Sequence, residues 1–337
     1  MKKTLRSFAL LLFAALSLCA FACAAELSGE CGAEGGNVTW HLDTASGVMT
    51  ISGSGAMVDM TYEESICKDQ AEAVKRVVVK EGVTTIGSVA FSDAYKNIES
   101  ISLPKSLKEI GRYAFSGCAA LKEIEFPDGL QTIGDGAFRN CTALTKVIVP
   151  DSVTTIGSDG FSGCSGLTEV KLPAWLGTIS DSLFQSCSSL TSIVIPAGVS
   201  KIDSWAFVNC TRLNTVYFPK GLTTIAIKAF DRANALRTIY YAGTKEEWAR
   251  VSVSPMNDPI TRATVIPGWV DDSAAPPPQT LSGECGETSG SVQWELNTEK
   301  GILTISGQGA MKPSRRVPRV LLPKCWSSHG PILVLWD

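Results

Sequence analysis

At 337 residues, with 45% hydrophobic and 19% charged residues, the chain has ample apolar material for folded cores and is unlike a disordered or long charged coiled-coil sequence. Thirty Lys and Arg against 33 Asp and Glu give a net charge of −3, so no basic field exists to hold nucleic acid through counterion release. The only two histidines, His41 and His329, exclude a multi-histidine metal centre, and any His-based triad must use one of them.

Residues 1–25 read as a secretory signal peptide: Lys2, Lys3 and Arg6 precede an apolar run from Phe8 to Phe21, and small residues follow at Ala22, Ala24 and Ala25. Cleavage there removes three basic residues and no acidic ones, which leaves −6. The run is short for a membrane span, so no transmembrane segment is expected in the mature chain. A lipoprotein reading, with lipid on Cys19 or Cys23, competes with plain cleavage, but Leu18 and Ala20 are poor flanks for it.

Residues 26–73 are expected to form an N-terminal capping β motif. Val38-x-Trp40-x-Leu42 and Val48-x-x-Ile51, joined through a turn ending at Gly47, predict a hairpin with one apolar face, laid over the open end of the first repeat. Cys67 and His41 are the one conceivable Cys-His nucleophile pair in this part. A second copy of the motif has Glu295 in place of His41, so His41 reads as a solvated strand residue.

Residues 74–241 are dominated by a repeat of 23 residues. Phenylalanine recurs at Phe91, Phe115, Phe138, Phe161, Phe184, Phe207 and Phe230, and cysteine at Cys118, Cys141, Cys164, Cys187 and Cys210. Proline from Pro104 to Pro219 and isoleucine from Ile110 to Ile225 keep the same step. Within one unit, Leu121-x-x-Ile124-x-Phe126 alternates as a strand that Pro127 stops; Leu130 and Ile133 turn inward, Gly134 permits the next bend, and Ala137, Phe138 and Cys141 fill the interior. No such unit can bury its apolar side alone. The expected fold is therefore a β-rich solenoid of seven coils with a parallel sheet on one face, its strands about 4.8 Å apart.

That spacing argues against disulfides along the cysteine column, because equivalent Cβ atoms repeat beyond the distance a disulfide wants. The five thiols read instead as small buried hydrophobes with weak donors, and thiols in a line make no tetrahedral metal cage. The threonine pairs Thr84-Thr85, Thr154-Thr155 and Thr223-Thr224 lie outside the core and are expected to satisfy loop backbone groups.

The run Val149-Pro150-Asp151-Ser152-Val153-Thr154-Thr155-Ile156-Gly157, with the Ala-Phe and Cys that come after it in sister units, resembles the BspA-like leucine-rich repeats of bacterial surface proteins. The match weakens at Ser180, Leu183 and Ala226, and the cysteine is lost near Tyr95 and at Ala233. The resemblance implies a leucine-rich repeat fold, a location at the cell surface or outside the cell, and binding or adhesion without catalysis, in some members to host extracellular-matrix proteins. Residues 242–267 resemble the family's end segment in Gly243, Trp248, Asn257 and Ala263, and are read as a C-terminal cap in which a short helix from Lys245 to Val251 sets Trp248 on the last coil.

Residues 268–280 form an acidic, proline-rich linker, Asp271-Asp272-Ser273-Ala274-Ala275-Pro276-Pro277-Pro278. Residues 281–311 repeat the capping motif at an offset of 254, incompletely. Residues 312–337 hold five basic residues and one acid, and are read as an aberrant or disordered tail from a frameshift or truncation. A real basic tail that touches acidic envelope polymers is the alternative.

Alternation places the middle residue of each strand on the outer face: Ser102, Glu125, Ile148, Lys171, Val194, Tyr217 and Tyr240. Ile148, Lys171, Val194, Tyr217 and Tyr240 form a stripe that grows apolar and aromatic, and they are the candidate binding residues for a protein partner. Strand propensity alone, or a cap over Tyr240, is the competing explanation. No motif fixes a catalytic residue, a metal ligand or a cofactor site. A structural scaffold of the envelope and a non-catalytic accessory module of an envelope enzyme remain competing functions.

Overall fold

The computed structural model describes residues 26–269 and, beyond them, only residues 280–284, 292–297, 302–307 and 333–336. The signal-like residues 1–25, with Cys19 and Cys23, lie outside the described residues, as does most of the linker.

Turns of 23 or 24 residues, lengthened to 26 or 28 at the two ends, bring each segment against its counterpart in the next turn, so the straight segments become ladders. The first ladder runs through β3 (Val48–Gly53), β5 (Arg76–Val79), β7 (Ser100–Ser102), β10 (Lys146–Ile148), β12 (Glu169–Lys171), β14 (Ser192–Val194), β16 (Thr215–Phe218), β18 (Thr238–Tyr241) and β20 (Thr264–Pro267). Its hydrogen-bonded stretches are β3-β5-β7, β10-β12 and β14-β16-β18-β20, all parallel. A single bridge, Glu123 to Lys146, leads into β10.

One sheet on one face is therefore an incomplete expectation. The segment that follows each strand of the first ladder is also straight for two to four residues and builds a second ladder: β4 (Gly55–Ala56), β6 (Val83–Ile86), β8 (Glu109–Ile110), β9 (Thr132–Ile133) and β11 (Thr155–Ile156), then β13 (Thr178–Ile179), β15 (Lys201–Ile202), β17 (Thr224–Ile225) and β19 (Ser252–Val253). The solenoid thus extends past the seven phenylalanine-bearing coils at both ends, to about eight turns of about 23 residues.

The interior is a column of rings. All seven repeat phenylalanines are fully buried, and successive rings stack at 4.8 to 6.0 Å with interplanar angles of 2° to 18°. Beside them the five periodic cysteines are buried and unpaired. Gly134 does not supply a bend. A Cβ there would stand 2.8 Å from Arg112 N and Gly111 C, so this glycine lets the previous turn approach. The bends come from two left-handed positions per coil, one at Val89, Tyr113, Gly136, Asp159, Ser182, Trp205 and Lys228, the other at Asp93, Gly117, Asn140, Gly163, Ser186, Asn209 and Arg232.

At the N-terminal end, β1 (Glu26–Glu30), β2 (Val38–Asp43) and β3 form an antiparallel meander. It is not laid over the first coil. β3 pairs in parallel with β5, Val48 to Arg76 through Ile51 to Val79, so the meander prolongs the sheet by its edge while Val38, Leu42, Met49 and Ile51 join the core. The edge-on join satisfies backbone groups that a face-on cover would leave unpaired.

At the other end a single helical turn, α1 (Lys245–Trp248), starts with a reciprocal capping box between Thr244 and Glu247. It sets Trp248 against Phe218 at 5.8 Å and Tyr241 at 5.3 Å. α2 (Asp258–Arg262) comes next, with Pro259 in its first turn. Between them the Asn257 side chain closes the stack. From Phe91 to Phe207 the repeat phenylalanine N–H donates to a carbonyl of the next turn, as Phe207 does to Ala229; Phe230 N–H instead donates to Asn257 Oδ1 at 2.9 Å. Asn257 Nδ2 donates to the carbonyls of Ala226 and Ser254.

A separate unit lies beyond residue 269. Its strands β21 (Thr280–Glu284), β22 (Val292–Asn297) and β23 (Ile302–Gly307) pair in the register of β1-β2-β3. Of the span 312–337, expected to be aberrant or disordered, Leu333–Trp336 forms β24, parallel to β23 from Ile302/Leu333 to Ile305/Trp336. The remainder of that span lies outside the described residues.

Candidate binding surface

The outward stripe is built by register. Ile148 pairs with Lys171; Val194, Tyr217, Tyr240 and Ile266 pair in succession. The five sequence-derived residues thus fall into two hydrogen-bonded groups, with the break between β12 and β14. Ile148 is 44% exposed and Lys171 is exposed, while Val194, Tyr217 and Tyr240 are half-buried. Ile148 and Ile266 therefore present large apolar surface to water, where a partner would gain from covering it. Lys146 Nζ and Glu169 Oε1, 2.8 Å apart, flank the Ile148–Lys171 pair; both are largely solvated, so the pair adds little stability.

The aromatic end differs from the expectation of an open stripe. Tyr217 and Tyr240 stack at 4.8 Å and 8°, and the Trp269 ring lies on Tyr217 at 4.9 Å and 47°. Gly268, at φ +78°, turns the chain so that Trp269 N–H donates to the Tyr241 carbonyl. Sequence reasoning placed Trp269 in the linker; a tryptophan directly after a glycine and an Ile-Pro strand end was the signal available. Ile148 and Lys171, both exposed, and half-buried Val194 are the part of the stripe outside this aromatic cluster.

The structure does not unite the conceivable nucleophile pair. His41 Nε2 stands 3.7 Å from Glu26 Oε2, both side chains solvated. Burial first, then the Asp69 carboxylate, raises the Cys67 thiol pKa, the opposite of an activated nucleophile. Burial likewise pushes the Cys164 and Cys210 thiols up to about 12. Of the six paired threonines, two make the expected bond to a backbone group: Thr154 Oγ1 donates to Gln131 O at 3.5 Å and Thr223 Oγ1 to Ser200 O at 2.9 Å. Among the described residues no group of three or more His, Cys, Asp or Glu is placed to hold a metal, and no helix is long and apolar enough to cross a membrane.

Short stacked turns, a strand at the start of each and a tight interior ladder define a leucine-rich repeat solenoid. The chain belongs to the BspA type leucine rich repeat family, whose region model matches six copies over residues 67–165 and 132–250. A leucine-rich repeat protein from Bacteroides ovatus is 25% identical, with a TM-score of 0.50 over 69% of this chain and 70% of that one. The leucine rich repeat protein of T. pallidum is 30% identical over 55% of this chain and 91% of its own, with a TM-score of 0.41. A leucine rich cell surface protein from Faecalibacterium prausnitzii is 18% identical over 68% of this chain and 98% of its own, with a TM-score of 0.38. No curated protein matches the chain. Family membership implies a protein-interaction role, and solenoids of this family are typically non-catalytic.

Proposed function

We propose that the chain is an exported binding protein that takes a protein partner on the outer face of its first ladder, centred on Ile148, Lys171 and Val194, with Tyr217 and Tyr240 as a stiff aromatic flank. The observation that carries this reading is the pair of registers, Ile148 with Lys171 and Val194 with Tyr217 and Tyr240, on one face, with Ile148 left 44% exposed. An apolar contact flanked by a cation suits the buried centre and polar rim of a protein interface. The signal-like residues 1–25 support export, and adhesion to host extracellular-matrix proteins is the role that fits a surface location.

The test is capture of the mature chain by immobilised matrix proteins and by bacterial envelope extract, native against Val194→Asp with Tyr217→Ala. Loss of capture with an unchanged melting curve supports the surface, and equal capture removes it. Capture by the envelope extract alone favours the scaffold role over host adhesion.

A further inference from the structure

Trp175 is 80% exposed, more than any other large apolar residue described, and its indole makes no ring contact or hydrogen bond among the described residues. It sits in the turn after β12, off the strand face. Sister turns have Ser106, Gly129, Ser152, Gly198 and Gly221 at this position. The serines serve the fold there, since Ser106 Oγ donates to Val83 O at 2.8 Å and Ser152 Oγ to Leu130 O at 2.6 Å. The Trp175 turn forgoes that bond and presents an indole to water, which costs free energy with no packing gained in return.

The surroundings say what the indole would meet. On its C-terminal side Gly198 and Gly221 carry no side chains; a Cβ at residue 198 would lie 3.0 Å from Ala174 O, so the next turn crosses close to the Trp175 backbone. On its N-terminal side the same ridge carries Asp128 and Asp151, both exposed and neither in an ion pair among the described residues. Asp151 Oδ1 accepts the Ala174 N–H at 2.8 Å, which ties this carboxylate beside the residue that precedes Trp175. An open indole face beside one tethered carboxylate, Asp151, with a second, Asp128, one coil further along the ridge, is the chemistry that takes a cation: the ring attracts it through its quadrupole and the carboxylates draw its N–H groups.

We propose that Trp175, Asp128 and Asp151 form a site for an arginine or lysine side chain from a basic protein segment, separate from the strand-face surface. A guanidinium fits best, since it stacks flat on an aromatic ring while its edge donates to carboxylates.

The full chain is titrated against labelled oligo-arginine peptide, with oligo-glutamate and a neutral chitin oligosaccharide in parallel. Native protein binds oligo-arginine more weakly as salt rises. Trp175→Ala weakens binding about three- to tenfold, and Trp175→Phe recovers part of it. Asp128→Asn with Asp151→Asn weakens it as well; the amide oxygen that replaces the Asp151 carboxylate still accepts the Ala174 N–H, so the fold is kept. Val194→Asp leaves it intact, which separates failure here from failure of the strand-face surface. Oligo-arginine binding unaffected by Trp175→Ala overturns the proposal. So does Trp175-dependent binding of the oligosaccharide without the peptide, which makes the indole a glycan platform.

Discussion

Cys141 Sγ donates to the carbonyl oxygen of Phe115 across 3.3 Å, from one coil to the one before it. The same step recurs from Cys118 to Phe91, Cys164 to Phe138, Cys187 to Phe161 and Cys210 to Phe184, at 3.1 to 3.4 Å. Cysteine suits the position because it packs as a small hydrophobe and still brings a weak donor to a buried carbonyl.

Burial holds these five thiols in the neutral form, so their folded pKa values lie above the ordinary value of 9.0. Their contribution to stability is complete below pH 9 and falls as pH rises toward the folded values, about 12 for Cys164 and Cys210, because the unfolded chain then releases protons that the folded chain retains. Thermal melts from pH 8 to pH 11 should show a progressive loss of stability, shallower in Cys141→Ala. A thiol reagent at pH 8 should label the five only on unfolding.

Phe161 stacks between Phe138 at 5.6 Å and Phe184 at 6.0 Å. Phe161→Ala should cost about 3–5 kcal/mol, read as a shift in the denaturant midpoint, with the amides of adjacent coils exchanging faster.

Asn257 is 2% exposed and satisfies three backbone groups at the last coil. Asn257→Ala leaves the Phe230 N–H and two carbonyls without these partners. It should destabilise the C-terminal coils by about 1–3 kcal/mol, with early hydrogen exchange from Thr224 to Tyr241.

Arg232 is exposed and holds φ at 61°, in the column where Gly117 and Gly163 sit. A left-handed L-residue costs about 1–2 kcal/mol, and glycine returns part of that gain through its freer unfolded chain. Arg232→Gly should therefore raise stability by about 0.5–1 kcal/mol, measured by equilibrium unfolding.

The periodic part of this molecule was legible in the sequence because stacking repeats a chemical environment every coil. Phe138 and Cys141 declare their burial by recurring, and the outward register from Ile148 to Tyr240 comes from alternation. What escaped is what occurs once. The Asn257 side chain takes the place of a missing backbone carbonyl, and Trp269 folds onto Tyr217 from a stretch that reads as linker. The left-handed positions escaped because Val89 and Trp205 hold a backbone shape their side chains disfavour, imposed by turns hydrogen-bonded on both sides. Trp175 was visible as a departure from Ser and Gly, but its exposure required the fold.

The most direct test of the strand-face account is hydrogen exchange of the chain with and without its captured protein partner. The account predicts slowed exchange confined to residues 146–149, 169–172 and 192–195, with a smaller effect at Tyr217. Protection at the second ladder or the left-handed bends, with those strands unchanged, would contradict it.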